Sequence, residues 1–194
     1  MLRDKTRRSL GRGTEPTAAV IDAQSVKTSA NVAETSQGID AGKKIKGCKR
    51  HVITDTLGLV LAVLVTAASV HDTTGGKLLV DDLAAAHPTV SKVWAEGGYQ
   101  SSILNHGTGL GIDVEVVQRR TKGFEPLPKR WVIERTFGWL MQHRRLARDY
   151  EASRRGPGRC SMGRWLTKCP ASSQENLRQR GEPKRTCTPE RCER

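Results

Sequence analysis

Three acidic residues stand out because each follows an apolar stretch. Asp22 closes "AVID", Glu96 closes "VWAE", and Glu134 lies early in "RWVIERTF". Carboxylates from two strands and a helix, gathered at one edge of a sheet, form a hard-oxygen site for Mg²⁺ or Mn²⁺. Two such ions about 3.5–4 Å apart can activate water or a 3′-hydroxyl and stabilise the leaving oxygen in phosphodiester chemistry. The acids therefore suggest a two-metal site.

The residues after Glu96 suggest room for a large ligand. In "VWAEGGYQ" (93–100), two glycines separate the acid from Tyr99. Glycines let a nucleic-acid backbone approach closely, because they carry no side chain. Spacing alone leaves other roles open. Asp22 could serve as a turn or cap residue, and Glu134 could lie on a solvated helix face, paired with Arg130 one turn earlier.

The apolar pattern predicts the elements that must position these acids. Leu57-Gly58 is a predicted hairpin turn between the second and third strands. The pattern predicts strands over 18–27, 49–56, 59–69, 91–96 and 113–119, and helices over 73–87, near Ser101, and over 128–150. A mixed β-sheet with helices packed on it satisfies this order, so the predicted fold class is α/β.

Composition divides the chain into three parts. Residues 1–15 are basic and non-periodic and read as a linker, and residues 16–151 carry the apolar segments of one domain. Residues 152–194 hold eleven Lys and Arg against four Glu, with no Val, Ile, Phe or Tyr. Such a segment buries too little apolar surface to offset its ordering entropy, so we expect a disordered basic tail. Its cysteines lack the CxxC spacing of a zinc site.

Charge and length limit the partners. The chain has 194 residues and a formal net charge of +13, which favours polyanionic partners, either nucleic acid or an anionic membrane surface. The longest apolar run, 57–70, is too short for a membrane span, and the N-terminus lacks the apolar core of a signal peptide. We therefore expect a cytoplasmic protein that does not interact with membranes.

From Ala18 to Tyr150 the sequence resembles the catalytic domain of DDE-class bacterial insertion-sequence transposases. The matching motifs are "AVIDAQSVKTS" (19–29), "GKKIKGCKRHVITDTLGLVLAVLVTAASVHD" (42–72), "VWAEGGYQ" (93–100) and "PKRWVIERTFGWLMQHRRLARDYE" (128–151). The resemblance implies a ribonuclease-H-like fold and metal-dependent DNA cleavage and strand transfer at element ends. It also implies two Mg²⁺ or Mn²⁺ ions, duplex DNA of element ends and target as partners, a homodimer on DNA, and a nucleoid-associated location.

The resemblance assigns the catalytic and metal-binding acids to Asp22, Glu96 and Glu134. At position 96 the family has aspartate, and the extra methylene of glutamate matters because metal ligands tolerate errors of only about 0.2 Å. Activity is therefore expected to be impaired, and the alternative is a catalytically inactive DNA-binding remnant. Relative to the family, the chain also looks truncated before Ala18. A generic RNA-binding protein fits less well, because a base-stacking platform of aromatic residues is not evident.

Basic residues near these acids are the candidates for DNA contact, with a solvated surface as the alternative. They are Lys43, Lys44, Lys46, Lys49, Arg50, Arg130, Arg135, Arg144 and Arg145. His71-Asp72 matches a His-Asp pair of the family and could orient DNA or cap the following helix. Trp131 and Trp139 are interpreted as core residues rather than base-stacking residues. Gly138 either keeps the face of Glu134 open or allows close packing of the helix on the sheet.

Overall fold

The computed structural model describes residues 2–117 and 130–150. The strands are β1 (Ala18–Lys27), β2 (Gly38–Asp40), β3 (Ile45–Asp55), β4 (Val60–Ala67), β5 (Lys92–Glu96) and β6 (Asp113–Val117). The helices are α1 (Leu2–Ser9), α2 (Asp72–Ala86), α3 (Ser101–Gly109), α4 (Arg130–Gln142) and α5 (Arg144–Ala147), with a 3₁₀ turn at Glu34–Ser36.

The described strands form one mixed sheet with β1 inside it. β1 pairs antiparallel with β3 and parallel with β5, and β5 pairs parallel with β6. β4 and the short β2 pair antiparallel with successive parts of β3. An antiparallel unit of three strands followed by parallel strands that cross over through helices is the arrangement expected of a ribonuclease-H-like sheet. The predicted fold class is confirmed.

A tight turn joins β3 to β4 at the predicted position. Gly58 has φ +87°, a left-handed conformation that glycine adopts without steric cost. One carboxylate oxygen of Asp55 accepts hydrogen bonds from the backbone N–H groups of Leu57 and Leu59, each at 2.9 Å. The hairpin is therefore held by Asp55, and its turn residues are fixed relative to both strands.

Side chains alternate between the two faces of the sheet, and each face has its own core. On one face, Ile21 and Ile53 pack with Leu79 of α2 and Ile103 of α3. On the other face, a smaller core joins the sheet to α4; its buried members are Val20, Val52, Ile133 and Phe137. The α4 face also includes the acids of the two central strands, because Asp22 and Glu96 each lie two positions after a residue of this core.

The N-terminal segment differs from the expected linker, because residues 2–9 form helix α1. Arg7 is buried, and its guanidinium donates a hydrogen bond to the carboxylate of Asp55, which is itself fully buried. The guanidinium also donates to the carbonyl of Gly13 at 2.7 Å. The helix lacks an apolar stripe, so its sequence gave no periodic signal; a long-range ion pair anchors it instead.

The long C-terminal helix is shorter than predicted. α4 ends at Gln142, His143 is extended, and a separate short helix follows. Three predictions fall partly or wholly outside the described residues. They are the tail at 152–194, the last two residues of the strand predicted at 113–119, and the first two residues of the helix predicted at 128–150. Among the helices that the structure describes, none is both long and apolar enough to cross a bilayer.

Candidate active site

Asp22 and Glu96 occupy matching positions on the two central parallel strands. The ladder between β1 and β5 ends with Ile21 opposite Ala95, and the two acids are the next residues on their strands. Val20 and Trp94, two positions earlier, both belong to the core beneath α4. Because side chains alternate along a strand, Asp22 and Glu96 lie on this same face. Asp22 is buried, and Glu96 is half-buried.

Glu134 comes from the helix that covers this face. α4 packs against both β1 and β5, and it buries Ile133 and Phe137 against the sheet. Glu134 follows Ile133 directly and is exposed. All three predicted acids thus belong to elements that contact one another. Within residues 2–117 and 130–150, however, no three Asp, Glu, His or Cys side chains are grouped closely enough to hold a metal ion.

Two side-chain hydrogen bonds tie α4 to the β3–β4 turn beside Glu134. Arg135 donates to the carbonyl oxygen of Leu57 at 2.9 Å, and the Thr136 hydroxyl donates to that of Gly58 at 3.0 Å. These residues immediately follow Glu134 in the helix. The position of Glu134 relative to the sheet therefore depends on the hairpin turn.

The turn after Glu96 directs Tyr99 into the interior, where its hydroxyl has no hydrogen-bond partner. The Tyr99 N–H donates to the carbonyl of Glu96 at 3.0 Å, so the chain reverses within three residues. Burial raises the pKa of Tyr99 well above 10, and the charges of Asp22, Asp72 and Glu96 raise it further. Asp72 also lies beside this turn, because a Cβ placed on Gly98 would be 3.6 Å from its carboxylate oxygen.

Lys49 forms a buried ionic centre with two acids of the α2 side. Its Nζ lies 2.8 Å from a carboxylate oxygen of Asp72 and 3.5 Å from one of Asp40. Burial opposes ionisation of Asp40, but a hydrogen bond from Ser25, the Lys43 N–H and the charge of Lys49 outweigh it. Together they lower the pKa of Asp40 to about 2, so this acid is ionised in the folded protein at neutral pH.

His51 neighbours this centre and is held neutral. Its side chain is fully buried, and Nε2 lies 3.1 Å from the hydroxyl oxygen of Thr66. Burial is the main cause that lowers the pKa of His51 to about 4; Asp72 opposes the shift, and Lys49 adds to it. A proton on this ring is therefore disfavoured at any pH near neutrality.

Two of the predicted DNA contacts are wrong, because the structure buries both side chains. Lys49 is engaged by Asp72 and Asp40, and Arg50 is fully buried and donates to the carbonyl of Leu146. Neither can reach a phosphate from these positions. In the sequence, a cluster of charged residues looks like a solvated hairpin whether or not other elements cover it. Only the folded structure shows which of these side chains are buried and which are exposed.

The other basic candidates differ in their surroundings. Lys43 is exposed, and its Nζ donates to the carbonyl of Ala23 at 3.1 Å, next to Asp22. Lys44 is exposed at the turn into β3. Lys46 is exposed and pairs with Glu34 at 2.6 Å. Exposed positions on α5 are occupied by Arg144 and Arg145, and the side chain of Arg130 lies outside the described residues.

Arg135 is held between two tryptophans instead of extending freely into solvent. Its guanidinium carbon lies 4.4 Å from the ring centroid of Trp131 and 4.7 Å from that of Trp139. Both rings are about half exposed, at 47% and 51%. The prediction that the two tryptophans are core residues was therefore wrong; one helix face carries a stacked aromatic–cation ladder, stabilised by cation–π attraction.

Two residues with alternative roles are now assigned. His71 caps α2, because its Nδ1 accepts a hydrogen bond from the Thr73 N–H at 3.2 Å. Gly138 is exposed on α4, and a Cβ at that position would meet no atom within 4 Å. Close packing of helix and sheet is therefore not the reason for this glycine.

Comparison with known proteins identifies the family. The model of the transposase DDE domain matches residues 13–156. The chain belongs to the DDE transposase family. It is 37% identical over 116 residues to the "Putative transposase for insertion sequence element IS402" of Burkholderia cepacia. That match covers 54% of each protein, so the chain spans about half the length of this curated relative.

Two solved structures show weaker overall similarity. The catalytic core domain of BIV integrase has a TM-score of 0.42 and 18% identity, over 65% of this chain and 67% of the integrase chain. A chain of a simian T-cell lymphotropic virus intasome complex has the same TM-score and identity, over 68% of this chain and 41% of the other.

Proposed function

We propose that this chain catalyses metal-dependent cleavage and strand transfer of DNA at the ends of an insertion sequence. The observation that carries this proposal is the placement of Asp22 and Glu96 directly after the paired residues Ile21 and Ala95, on the face that α4 covers. Membership of the DDE transposase family supports the reaction class. Glu134, on the covering helix, is the proposed third acid.

The side chains at this position fit a divalent cation in their chemistry. Asp22 and Glu96 offer carboxylate oxygens from adjacent strands, and these are ligands that Mg²⁺ and Mn²⁺ prefer. We assign the metal to Asp22, Glu96 and Glu134, and DDE transposases generally use such ions. Bound there, the cations would supply Lewis-acid activation of the phosphodiester and of the attacking oxygen.

The chain's own residues supply the placement of the site. The Ala23 N–H donates to one oxygen of Asp22 at 2.7 Å, which orients the carboxylate. Lys43, bonded to the carbonyl of Ala23, would place a positive charge next to a DNA phosphate bound at Asp22. The bonds from Arg135 and Thr136 to the hairpin turn would keep Glu134 in position while DNA binds.

DNA contact is assigned to exposed cations instead of the whole predicted set. Those retained are Lys43, Lys44, Lys46, Arg144 and Arg145, together with Arg130, whose side chain lies outside the described residues. Phosphate contacts of this kind give affinity without sequence preference, and binding should weaken steeply as salt rises. A homodimer on DNA remains part of the proposal because of the family resemblance.

A second candidate function is a DNA-binding remnant without catalysis. One observation that favours it is Glu96, whose side chain is one methylene longer than the family's aspartate. The other is that, among the described residues, no three acidic, histidine or cysteine side chains are close enough together to hold a metal ion. Catalytic groups need placement within about 0.5 Å, so one misplaced carboxylate could abolish turnover while DNA binding persists.

The deciding experiment is Mn²⁺-dependent cleavage of DNA that carries the terminal repeats of the element. Strand cleavage by the wild-type chain that Asp22→Asn and Glu134→Gln each abolish would support the enzyme. Salt-sensitive DNA binding by all three proteins, with no cleavage by any of them, would support the remnant. Cleavage that survives both substitutions would contradict the assigned site.

A further inference from the structure

We propose that a basic pocket at the end of β1 is a second contact for the DNA backbone, separate from the acids. This basic pocket is a cavity of about 470 Å³, lined by Lys27, Thr28, Ser29, Glu34, Lys46 and Arg148 among others. Lys27 and Arg148 are not among the predicted DNA contacts. The proposal rests on the proposed function, since it names a second position where the same DNA is held.

The pocket is built by contact between two distant parts of the chain. The Asp149 N–H donates to the carbonyl of Lys27 at 3.0 Å, and the Ser29 N–H donates to the carbonyl of Asp149 at 2.7 Å. This short parallel bridge brings Arg148, which follows α5, to the end of β1. The wall that carries Lys27 and Arg148 is therefore fixed by backbone hydrogen bonds and does not depend on flexible side chains.

A second pair of bonds fixes the loop on the other side. The Thr28 hydroxyl donates to the side-chain oxygen of Gln37 at 2.6 Å, and the Gln37 amide donates to the carbonyl of Val32 at 2.6 Å. The loop after β1 is thereby folded back under the pocket. The volume of this concave site lies within the range of small-ligand pockets.

The charge of the lining selects an anion. Lys46 is matched by Glu34, which lies 2.6 Å away. Lys27 and Arg148 are both exposed, and the described residues provide neither with a carboxylate partner. Their two charges remain available to a ligand, and Ser29 adds a hydroxyl at the same wall. A phosphate that bridges Lys27 and Arg148 is the ligand chemistry that best matches this lining.

Position along β1 favours DNA over a free anion as the source of that phosphate. Five residues of extended strand separate Asp22 from Lys27, a distance of about 16 Å. One turn of a DNA duplex spans about 34 Å. The separation of Asp22 and Lys27 along β1 is therefore shorter than one turn of a duplex.

The test compares two variants with the same loss of charge. Lys27→Gln/Arg148→Gln removes the two unmatched cations of the pocket, and Lys5→Gln/Arg8→Gln removes two exposed cations of α1. Binding of a random-sequence duplex is measured against salt concentration in EDTA, so the result is independent of metal and of catalysis. Equal thermal unfolding of the variants shows that each is folded.

The slope of log affinity against log salt should fall in magnitude by about 1.8 for the pocket variant, because each lost phosphate contact contributes about 0.9. The α1 variant should change by less than half of this. Equal changes in both variants would overturn the pocket proposal and leave the cleavage assay above unaffected. If millimolar inorganic phosphate protects the wild type but not the pocket variant from thermal unfolding, while both bind duplex equally, the site takes a free anion and the proposal fails.

Discussion

Gly76 of α2 lies directly against the ring of Tyr99, with no space for a side chain between them. A Cβ placed on Gly76 would be 2.6 Å from Cε1 of Tyr99 and 2.9 Å from Cδ1 of Ile103. Gly75 has the same relation to the ring of His51. The two glycines thus allow α2 to pack on the buried rings of His51 and Tyr99. Tyr99 comes three residues after Glu96, the last residue of β5.

We predict that Gly76→Ala destabilises the protein. Overpacking a filled core costs about 1–3 kcal/mol, because neighbouring side chains must leave their preferred rotamers. The unfolding free energy from urea titration should fall by that amount. Gly109→Ala is the matched control, since a Cβ there meets nothing within 4 Å. Equal stability of the Gly76 variant and the wild type would show that the Tyr99 ring moves easily.

Gly138→Ala should have the opposite effect on stability. This glycine is exposed in the interior of α4 and contacts nothing that a Cβ would displace. Glycine inside a helix costs roughly 1 kcal/mol relative to alanine, so the variant should unfold at a higher temperature. Cleavage activity is measured in parallel. A loss of activity in the more stable variant would show that the glycine serves the face of Glu134, and unchanged or lower stability would refute the prediction.

Much of the sheet was predictable because apolar patterns are local. The strands β1, β3, β4 and β5 and the turn at Gly58 lie within a few residues of their predicted positions. β2 was missed because a strand of three residues is too short to show alternation. α1 was missed because Arg7, its anchor, pairs with a residue 48 positions away.

The candidate site was predictable only in part. The apolar residues before Asp22 and Glu96 were enough to predict that each acid lies near the end of a strand. Their matching positions on neighbouring strands could not be predicted, because strand register is set by the folded sheet. Burial of Lys49 could not be inferred, because its partner Asp72 belongs to a separate helix. The exposure of Trp131 could not be inferred either, since an aromatic residue two positions before Ile133 suggests a buried helix face.

Asp40 should make stability dependent on pH in the acid range. Its folded pKa of about 2 lies below the ordinary value of 3.8, so its contribution is present above pH 4 and is lost as pH falls towards 2. Asp40→Asn should therefore be less stable than the wild type at pH 7, by at most about 2 kcal/mol. The difference should disappear near pH 2. A constant difference between pH 7 and pH 2, measured by thermal unfolding, would contradict the shift.

His51 should weaken the fold at a higher pH than Asp40 does. Its pKa is lowered from 6.5 to about 4. Between these two pH values, His51 is protonated in the unfolded chain but neutral in the folded protein. Stability is then fully present above about pH 6.5 and falls as pH drops to 4, by roughly 3 kcal/mol. His51→Gln retains a polar group that can bond to Thr66 but does not titrate. Its stability should change less over this window, and identical profiles for both proteins would refute the assignment.

Glu96→Asp should increase DNA cleavage if Asp22, Glu96 and Glu134 share the metal ions. The two side chains carry the same charge, so a gain must come from geometry: the shorter acid moves its oxygens back towards β5 by one methylene. A tenfold increase in rate needs only about 1.4 kcal/mol of transition-state stabilisation, which better placement of a ligand can supply.

The assay is Mn²⁺-dependent strand cleavage on DNA with the cognate ends. Adding Glu134→Gln should remove the gain, because the third carboxylate would be lost. Equal activity of the parent and the Glu96→Asp protein would show that glutamate is tolerated at this position, and the inactive-remnant alternative would then be abandoned. No cleavage by either protein, with DNA binding intact, would place the defect outside position 96.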